Sequence, residues 1–500
     1  MELQTSIIVN SATGVVADDA LPLCELARQF EEAGEYEQAK EVLEPFWKGP
    51  GNRPSISGLT DPVKAELLLR TGTLTGWIGS ARQIPGAQEA AKDLISESSS
   101  IFERLGITEK AAEASVDLGI CYWREGAFDE ARITLRHVLD ILGESQTEQR
   151  LRALLNLAIV EKAATRDSEA LRIYSDAATL FDRSSNDALK GKFHNSHANL
   201  LRTIGLSENK TEFVDKALVE YAAASFHFEQ ADHKRNQARV ENNVGYLFAT
   251  IGRFPDAHDH LKRALSLMKT LNDQGGTAMV EDARAQTFLM EGKNADAERT
   301  AREAVKVLSG GGEQGVLAEA LTTYGKALAR LGKIDDSKLN LEKATEIAQT
   351  AGDPNRGGIA AVTAIEELNR NLSAEQLKNY YRSAEELLSN SQNRALKIRL
   401  GDCARLVLSA EAGGAQSGSQ VTESAFNFSN EFSLESEVLR YEGNLIRQAL
   451  EASGGSVTRA ARMLGVTHQG LAFILNGRHS DLLSVRTPVK KRRRSIIRYH

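Results

Sequence analysis

Cysteine is scarce in this 500-residue chain: Cys24, Cys121 and Cys403 lie far apart, with no CxxC spacing. That argues against a disulfide framework or a cysteine zinc site and for a reducing compartment, so a cytoplasmic location is expected. Proline is rare, nine in all, and aromatics make up 6%. Ala, Leu, Glu, Lys and Arg abound instead, a composition that favours an all-α chain. No stretch approaches the roughly 18 apolar residues of a membrane span, so no membrane partner is expected. The opening MELQTSIIVNSATG has no basic n-region and only a short apolar run, unlike a signal peptide. There is no GxxxxGK[ST] phosphate loop; SGGGEQG (309–315) lacks the lysine and lies between helical stretches. HNSH (194–197) and HDH (258–260) offer histidine pairs without a nearby cysteine or further acids, so no metal is expected. No nucleophile and base can be paired. Neither enzyme activity nor a cofactor is expected.

What charge there is divides unevenly. The net charge is −7, yet residues 434–500 hold 12 Lys and Arg against 5 Asp and Glu, a surplus of seven; the rest therefore carries −14. An acidic body with a basic tail calls for two kinds of partner, the tail's being polyanionic. The length itself exceeds one core, so several domains or a repeat array are expected.

The body repeats. DLGICYWREGAFDEARITLRHVL (117–139), NVGYLFATIGRFPDAHDHLKRAL (243–265) and TYGKALARLGKIDDSKLNLEKAT (323–345) share one pattern: helix, glycine turn, second helix opening on a small residue. That residue recurs at Ala131, Ala170, Ala217, Ala257, Ala297 and Ser337, in steps of 39 or 40 with one of 47. Leu261 with Ala264, and Leu341 with Ala344, extend it into an apolar stripe at i, i+4, i+7. The pattern resembles tetratricopeptide repeats (TPRs) over roughly 22–390. Gly119, Gly245 and Gly325 match the family's small residue in the first helix, and Gly126, Gly252, Gly292 and Gly332 its turn glycine. Earlier units are expected around 33–43 and 86–95 and a worn one over 358–388, eight to nine in all. The resemblance implies a superhelical solenoid whose first helices line a concave face. It also implies a row of polar side chains there, Asp117, Asn156, Asn199, Asn243 and Thr323, able to bond a protein or peptide ligand. Ala283 interrupts the row, which weakens that reading in favour of ordinary polar residues on a solvated face.

Residues 411–433 are rich in Gly and Ser and lose helical periodicity, as a flexible linker does. Beyond it, 434–452 reads as an amphipathic helix with Val438, Leu439, Leu445, Ile446 and Leu450 on its apolar side. SGG ends it, and Ser456 is placed to cap VTRAARML. Gly465 permits a sharp turn, Thr467 caps HQGLAFIL, and Leu471, Ile474 and Leu475 form the packing side of that last helix. Two short helices around a glycine turn are a helix-turn-helix, whose second helix enters the DNA major groove. YEGNLIRQALEASGGSVTRAARMLGV is similar to the Fis-type helix-turn-helix, which implies a homodimer through 434–452 on paired half-sites. The likeness fades after Val466, where Ala472, Phe473 and Ile474 replace basic residues. Phosphate contact then falls to the tail, where six positive charges lie between Lys490 and Arg498. The expected DNA-contacting set is Ser456, Thr458, Arg459, Thr467, His468, Gln469, Gly470, Phe473, Arg478, Lys490, Lys491, Arg492, Arg493 and Arg494.

These features divide the chain into an N-terminal tail (1–20), a TPR-like repeat domain (21–410), a linker (411–433), a helix-turn-helix domain (434–480) and a basic arm (481–500). They fit a DNA-binding transcriptional regulator. A repeat scaffold or adaptor whose tail binds RNA or another polyanion is the alternative.

Overall fold

A computed structural model describes residues 19–145, 147–391, 393–414 and 434–485. The chain divides into two compact units between Ala415 and Gln416. Among the described residues all regular structure is helical.

Among the described residues, nine helix pairs build the first unit. They begin with α1 (Ala20–Glu32) and α2 (Tyr36–Val42), α3 (Asp61–Arg82) and α4 (Ala87–Arg104), and α5 (Thr108–Glu125) and α6 (Phe128–Leu142). They continue with α7 (Glu148–Ala163) and α8 (Asp167–Asp182), α9 (Asp187–Glu208) and α10 (Thr211–Gln230), and α11 (Lys234–Thr250) and α12 (Phe254–Thr270). The last are α13 (Gln274–Met290) and α14 (Asn294–Leu308), α15 (Gln314–Arg330) and α16 (Ile334–Thr350), and α17 (Pro354–Leu368) and α18 (Ala374–Leu388). A single helix, α19 (Arg394–Gly414), closes the row, packing Leu396, Cys403 and Val407 on the final pair. It runs through 411–414, the start of the expected linker.

The spacing of small and apolar residues makes each pair. On α12, Ala257, Leu261, Ala264 and Met268 are buried at i, i+4, i+7 and i+11, one stripe of a helix. The facing helix has no side chain at the point of closest approach. A Cβ on Gly119, Gly245 or Gly325 would lie 3.0, 2.8 or 2.7 Å from Leu135, Leu261 or Leu341 Cγ. Where Ser337 replaces the usual alanine, its hydroxyl donates to the Gly325 carbonyl at 2.7 Å. The turn between helices takes a left-handed residue, Gly332 at φ +77 for example, but Thr165 fills the corresponding place at φ +58. The 47-residue step is absorbed by α9 and α10, which are 22 and 20 residues long and pack along each other.

Odd-numbered helices also pack on one another, α5 on α7 and α11 on α13, so they form the inner wall and the even-numbered helices the outer layer. The winding is tight enough that helices ten apart meet: α3 with α13, α5 with α15, α9 with α19. One turn therefore takes about five pairs, and successive turns touch. Arg235 Nε donates to the Gly34 carbonyl at 3.5 Å, and Thr165 and Ser391 share a hydroxyl hydrogen bond at 3.2 Å. Ser80 donates to the Glu313 carboxylate across the same seam.

Candidate nucleic-acid interface and inner wall

Among the described residues of the second unit there are three helices and a short 3-10 turn: α20 (Leu434–Ala452), α21 (Val457–Met463), α22 (His468–Asn476) and Ser480–Val485. Ile446, Ala449 and Leu450 of α20 meet Val457, Ala460 and Ala461 of α21 and Leu471 and Leu475 of α22. Alanine at 460 and 461 is what lets the helices cross closely. Gly465, at φ +67, makes the turn, and the Val466 amide donates to the Ala461 carbonyl at 3.0 Å. Thr467 caps α22 as expected: its hydroxyl accepts from the Gly470 amide at 3.0 Å. Ser456 occupies the N-cap position of α21 but makes no side-chain cap bond; its carbonyl instead accepts from the Ser453 hydroxyl at 3.1 Å. Leu482 is buried in the same core and Leu483 packs against it, where the arm was expected to begin.

The outward side of α22 carries His468, Gln469, Phe473 and Asn476, all exposed, with Ala472 half-buried between them. Phe473 is 81% exposed, an unusual position for a large apolar ring. Thr458 and Arg459 are exposed on the first turn of α21. Gly470 is engaged through its backbone by Thr467. Arg478 is engaged by Glu442, whose second carboxylate oxygen accepts from the buried His479 ring at 2.9 Å. Arg478 is thus a tie between α22 and α20, a role its charge alone did not reveal. Asn476 escaped the sequence reading, and Ala472 entered it only as a replaced basic residue, although the helical spacing from His468 places both on its side. Lys490 to Arg494 lie outside the described residues.

The amphipathic helix 434–452 turns Ile446, Ala449 and Leu450 into its own core. Tyr441 (68% exposed) and Leu445, one turn apart, stay exposed.

The inner wall of the first unit does not assemble the polar row as free amides. Asp117 accepts from Arg152 at 2.8 Å and Thr73 at 3.0 Å. Asn156 donates to the Arg152 carbonyl at 2.8 Å, and Thr323 to the Glu319 carbonyl at 3.3 Å. Asn243 donates to Asn195 at 3.0 Å. Asn199 faces the outer layer, accepting from the Tyr221 hydroxyl at 2.8 Å. The added turns of α9 shift its register, which is why Asn195 stands beside Asn243.

Charge fills this wall. Arg70 is buried among Glu31, Glu66 and Glu113, and Lys110 joins the last two. Burial acts against the Glu113 carboxylate, but Arg70, Arg152 and Lys110 outweigh it and hold its pKa down to about 2. Further along, burial and the neighbouring Glu319 push Asp282 up to about 7. The histidine motifs pair with carboxylates: His194 and His197 with Glu220, His258 with Glu291, His260 with Glu241. Among the described residues no group of three or more His, Cys, Asp or Glu could hold a metal. All three cysteines are buried, and burial pushes each thiol up to about 12, far from a reactive thiolate. No described helix is long and apolar enough to cross a membrane.

A superhelix of helix pairs joined to a helix-turn-helix is the class this architecture defines. Sequence models agree on both parts: residues 318–350 match a tetratricopeptide repeat, and residues 440–472 the Fis family of bacterial regulatory proteins. The chain contains a tetratricopeptide repeat and, near its C-terminus, a Fis-type helix-turn-helix. It thereby joins a protein-interaction type of repeat to a DNA-binding type of module, neither of them a catalytic type. Among solved structures, a Rap protein complexed with Competence and Sporulation Factor is 14% identical, covering 78% of this chain and 100% of its own, with a TM-score of 0.52. The Pyrococcus horikoshii STAND protein with a tetratricopeptide repeat sensor is 12% identical (76% of this chain, 55% of its own, TM-score 0.42). Yeast Tom70 is also 12% identical (80% and 83%, TM-score 0.41). No curated protein sequence matches this chain.

Proposed function

We propose that this protein is a DNA-binding transcriptional regulator. In this reading the second unit reads an operator as a dimer, and the inner wall of the superhelix takes a protein or peptide signal. The observation that carries it is the division of α22: Leu471 and Leu475 are sealed into the core, while His468, Gln469, Phe473 and Asn476 are left facing out together. Such a face matches the major-groove role of a second helix. Its chemistry favours A·T pairs. Amides of Gln469 and Asn476 suit the N6/N7 edge of adenine, and Ala472 and Phe473 suit the thymine methyl group. No arginine, the usual guanine reader, stands on that face. Phosphate contact comes from Arg459 on α21 and from the Lys490–Arg494 arm.

Dimerisation through 434–452 would use Tyr441 and Leu445, apolar side chains exposed among the described residues of α20. For the superhelix, the Rap structure supports a ligand role, since a solenoid of comparable fold is complexed there with a factor. Removing 434–500 tests the assignment: the shortened chain should keep its helical circular dichroism and lose sequence-selective retention of DNA. Selective retention by the shortened chain would refute it.

A further inference from the structure

We propose that the outward side of α19 is an interface with a second copy of this chain, formed by two α19 helices packed antiparallel. It is a different contact from the one proposed for 434–452 and needs nothing from the reading of DNA.

Helices α13, α15, α17 and α19 begin at residues 274, 314, 354 and 394, so positions on them correspond at intervals of 40. On α15, Ala318, Leu321, Gly325 and Leu328 are buried, and the Leu341 side chain of α16 covers Gly325. On α17, Gly358, Ala361, Ile365 and Leu368 are buried likewise, with Leu388 of α18 over Gly358. The corresponding positions on α19 are Ile398, Gly401, Arg405 and Leu408. This helix packs Leu396, Cys403 and Val407 on the preceding pair, and no second helix of its own pairs with it among the described residues. Ile398 is 54% exposed and Leu408 64%, and Gly401 has nothing within 4 Å of its Cβ position. The side that α15 and α17 bury, α19 presents to solvent.

The spacing of that side makes it complementary to itself. In an antiparallel pair related by a two-fold axis, positions 398 and 408 oppose each other, as do 401 and 405. Ile398 then meets the partner's Leu408. The Arg405 stem crosses the space above the partner's Gly401, as leucines cross the glycines of the inner pairs. Charge agrees. Asp402 and Arg405 are joined at 2.7 Å, with both side chains exposed. Across the axis, Arg405 of one copy comes against Asp402 of the other, so the charges alternate in sign. A parallel pair would instead set Arg405 on Arg405, like charge on like. One helix side buries less than the roughly 1,000 Å² of a stable interface, so the contact is weak and forms in concentrated solution.

Amide hydrogen exchange of the full chain, measured in dilute and in concentrated solution, tests this. Exchange in α19 should slow by about tenfold once the protein is at about ten times the dissociation constant. Leu408→Glu should abolish that slowing, and so should Arg405→Asp, which sets acid against acid. Arg405→Asp combined with Asp402→Arg restores the alternation and should restore the slowing. The readout is the ratio between the two concentrations, so a small change within α19 itself does not move it. Because Leu408 is exposed, Leu408→Glu should match the wild type in dilute solution and in helical circular dichroism. Exchange in α19 that ignores concentration, or slowing that survives both Leu408→Glu and Arg405→Asp, would overturn the proposal. So would slow exchange already present in dilute solution and quickened by Leu408→Glu, since the covering element would then belong to the same chain. Concentration-dependent slowing confined to 434–452 would overturn it while leaving the other dimer contact in place.

Discussion

Glu442 and His479 join the two ends of the helix-turn-helix unit: the imidazole Nε2–H donates to the carboxylate Oε2 at 2.9 Å, across 37 residues of sequence. Arg478 takes the other oxygen, and its hydrogen bond holds the Glu442 carboxyl below the usual carboxylate range. Because His479 is buried, Glu442→Ala leaves a polar ring without its partner. That should cost about 1–3 kcal/mol. Hydrogen exchange should quicken at the Leu471 and Leu475 amides and stay unchanged in α1 to α19.

Base preference should follow the outer face of α22. Gln469→Ala and Asn476→Ala should each relax discrimination at one A·T pair by about 1–3 kcal/mol. Fluorescence anisotropy on operator variants measures this. Neutralising Lys490 to Arg494 should weaken all duplexes alike, lowering the log–log salt slope by about 0.9 per lost phosphate contact.

Asp282 gives the first unit a pH dependence. Its folded-state pKa, near 7, exceeds the ordinary carboxylate value, so the folded chain holds a proton that the unfolded chain releases at about pH 4. Stability from this group is full below the unfolded value and falls as pH rises toward 7. Asp282→Asn removes the titration. Thermal melts of the variant and wild type should agree near pH 4 and separate toward pH 7, with the variant melting higher.

The seam between superhelical turns is sensitive to one methyl group. A Cβ on Gly275 of α13 would lie 2.5 Å from the Ser80 carbonyl oxygen of α3, and backbone cannot yield as a side chain can. Gly275→Ala should therefore destabilise by about 1–3 kcal/mol. Gly401, on α19, has nothing within 4 Å of its Cβ position. Gly401→Ala should stabilise by about 0.5–1 kcal/mol, as a helix-interior glycine replacement does. Stabilisation of both variants alike in chemical denaturation would show that the turns do not touch.

Helix pairing was legible because close packing demands small residues at a fixed interval, and Ala257, Ala297 and Ser337 keep that interval. The pitch was not. A 40-residue period identifies neighbours along the row, but nothing in it says that Gly34 meets Arg235 or Thr165 meets Ser391. Register failed where the interval changed: α9 gained turns, so Asn199 faces Tyr221. In the second unit, the capping of α22 by Thr467 and the burial of Ala460 and Ala461 follow from local chemistry. The role of Arg478 depends on Glu442, 36 residues earlier, and only the folded unit brings them together.

The most direct test is enrichment of duplexes from a random library by the full chain, beside a variant with His468, Gln469, Phe473 and Asn476 all changed to Ala. The wild type should enrich an A·T-containing pair of half-sites about 34–36 Å apart, one helical turn, and the variant should enrich none. The same motif emerging from both proteins, or none from the wild type, would contradict DNA readout by α22.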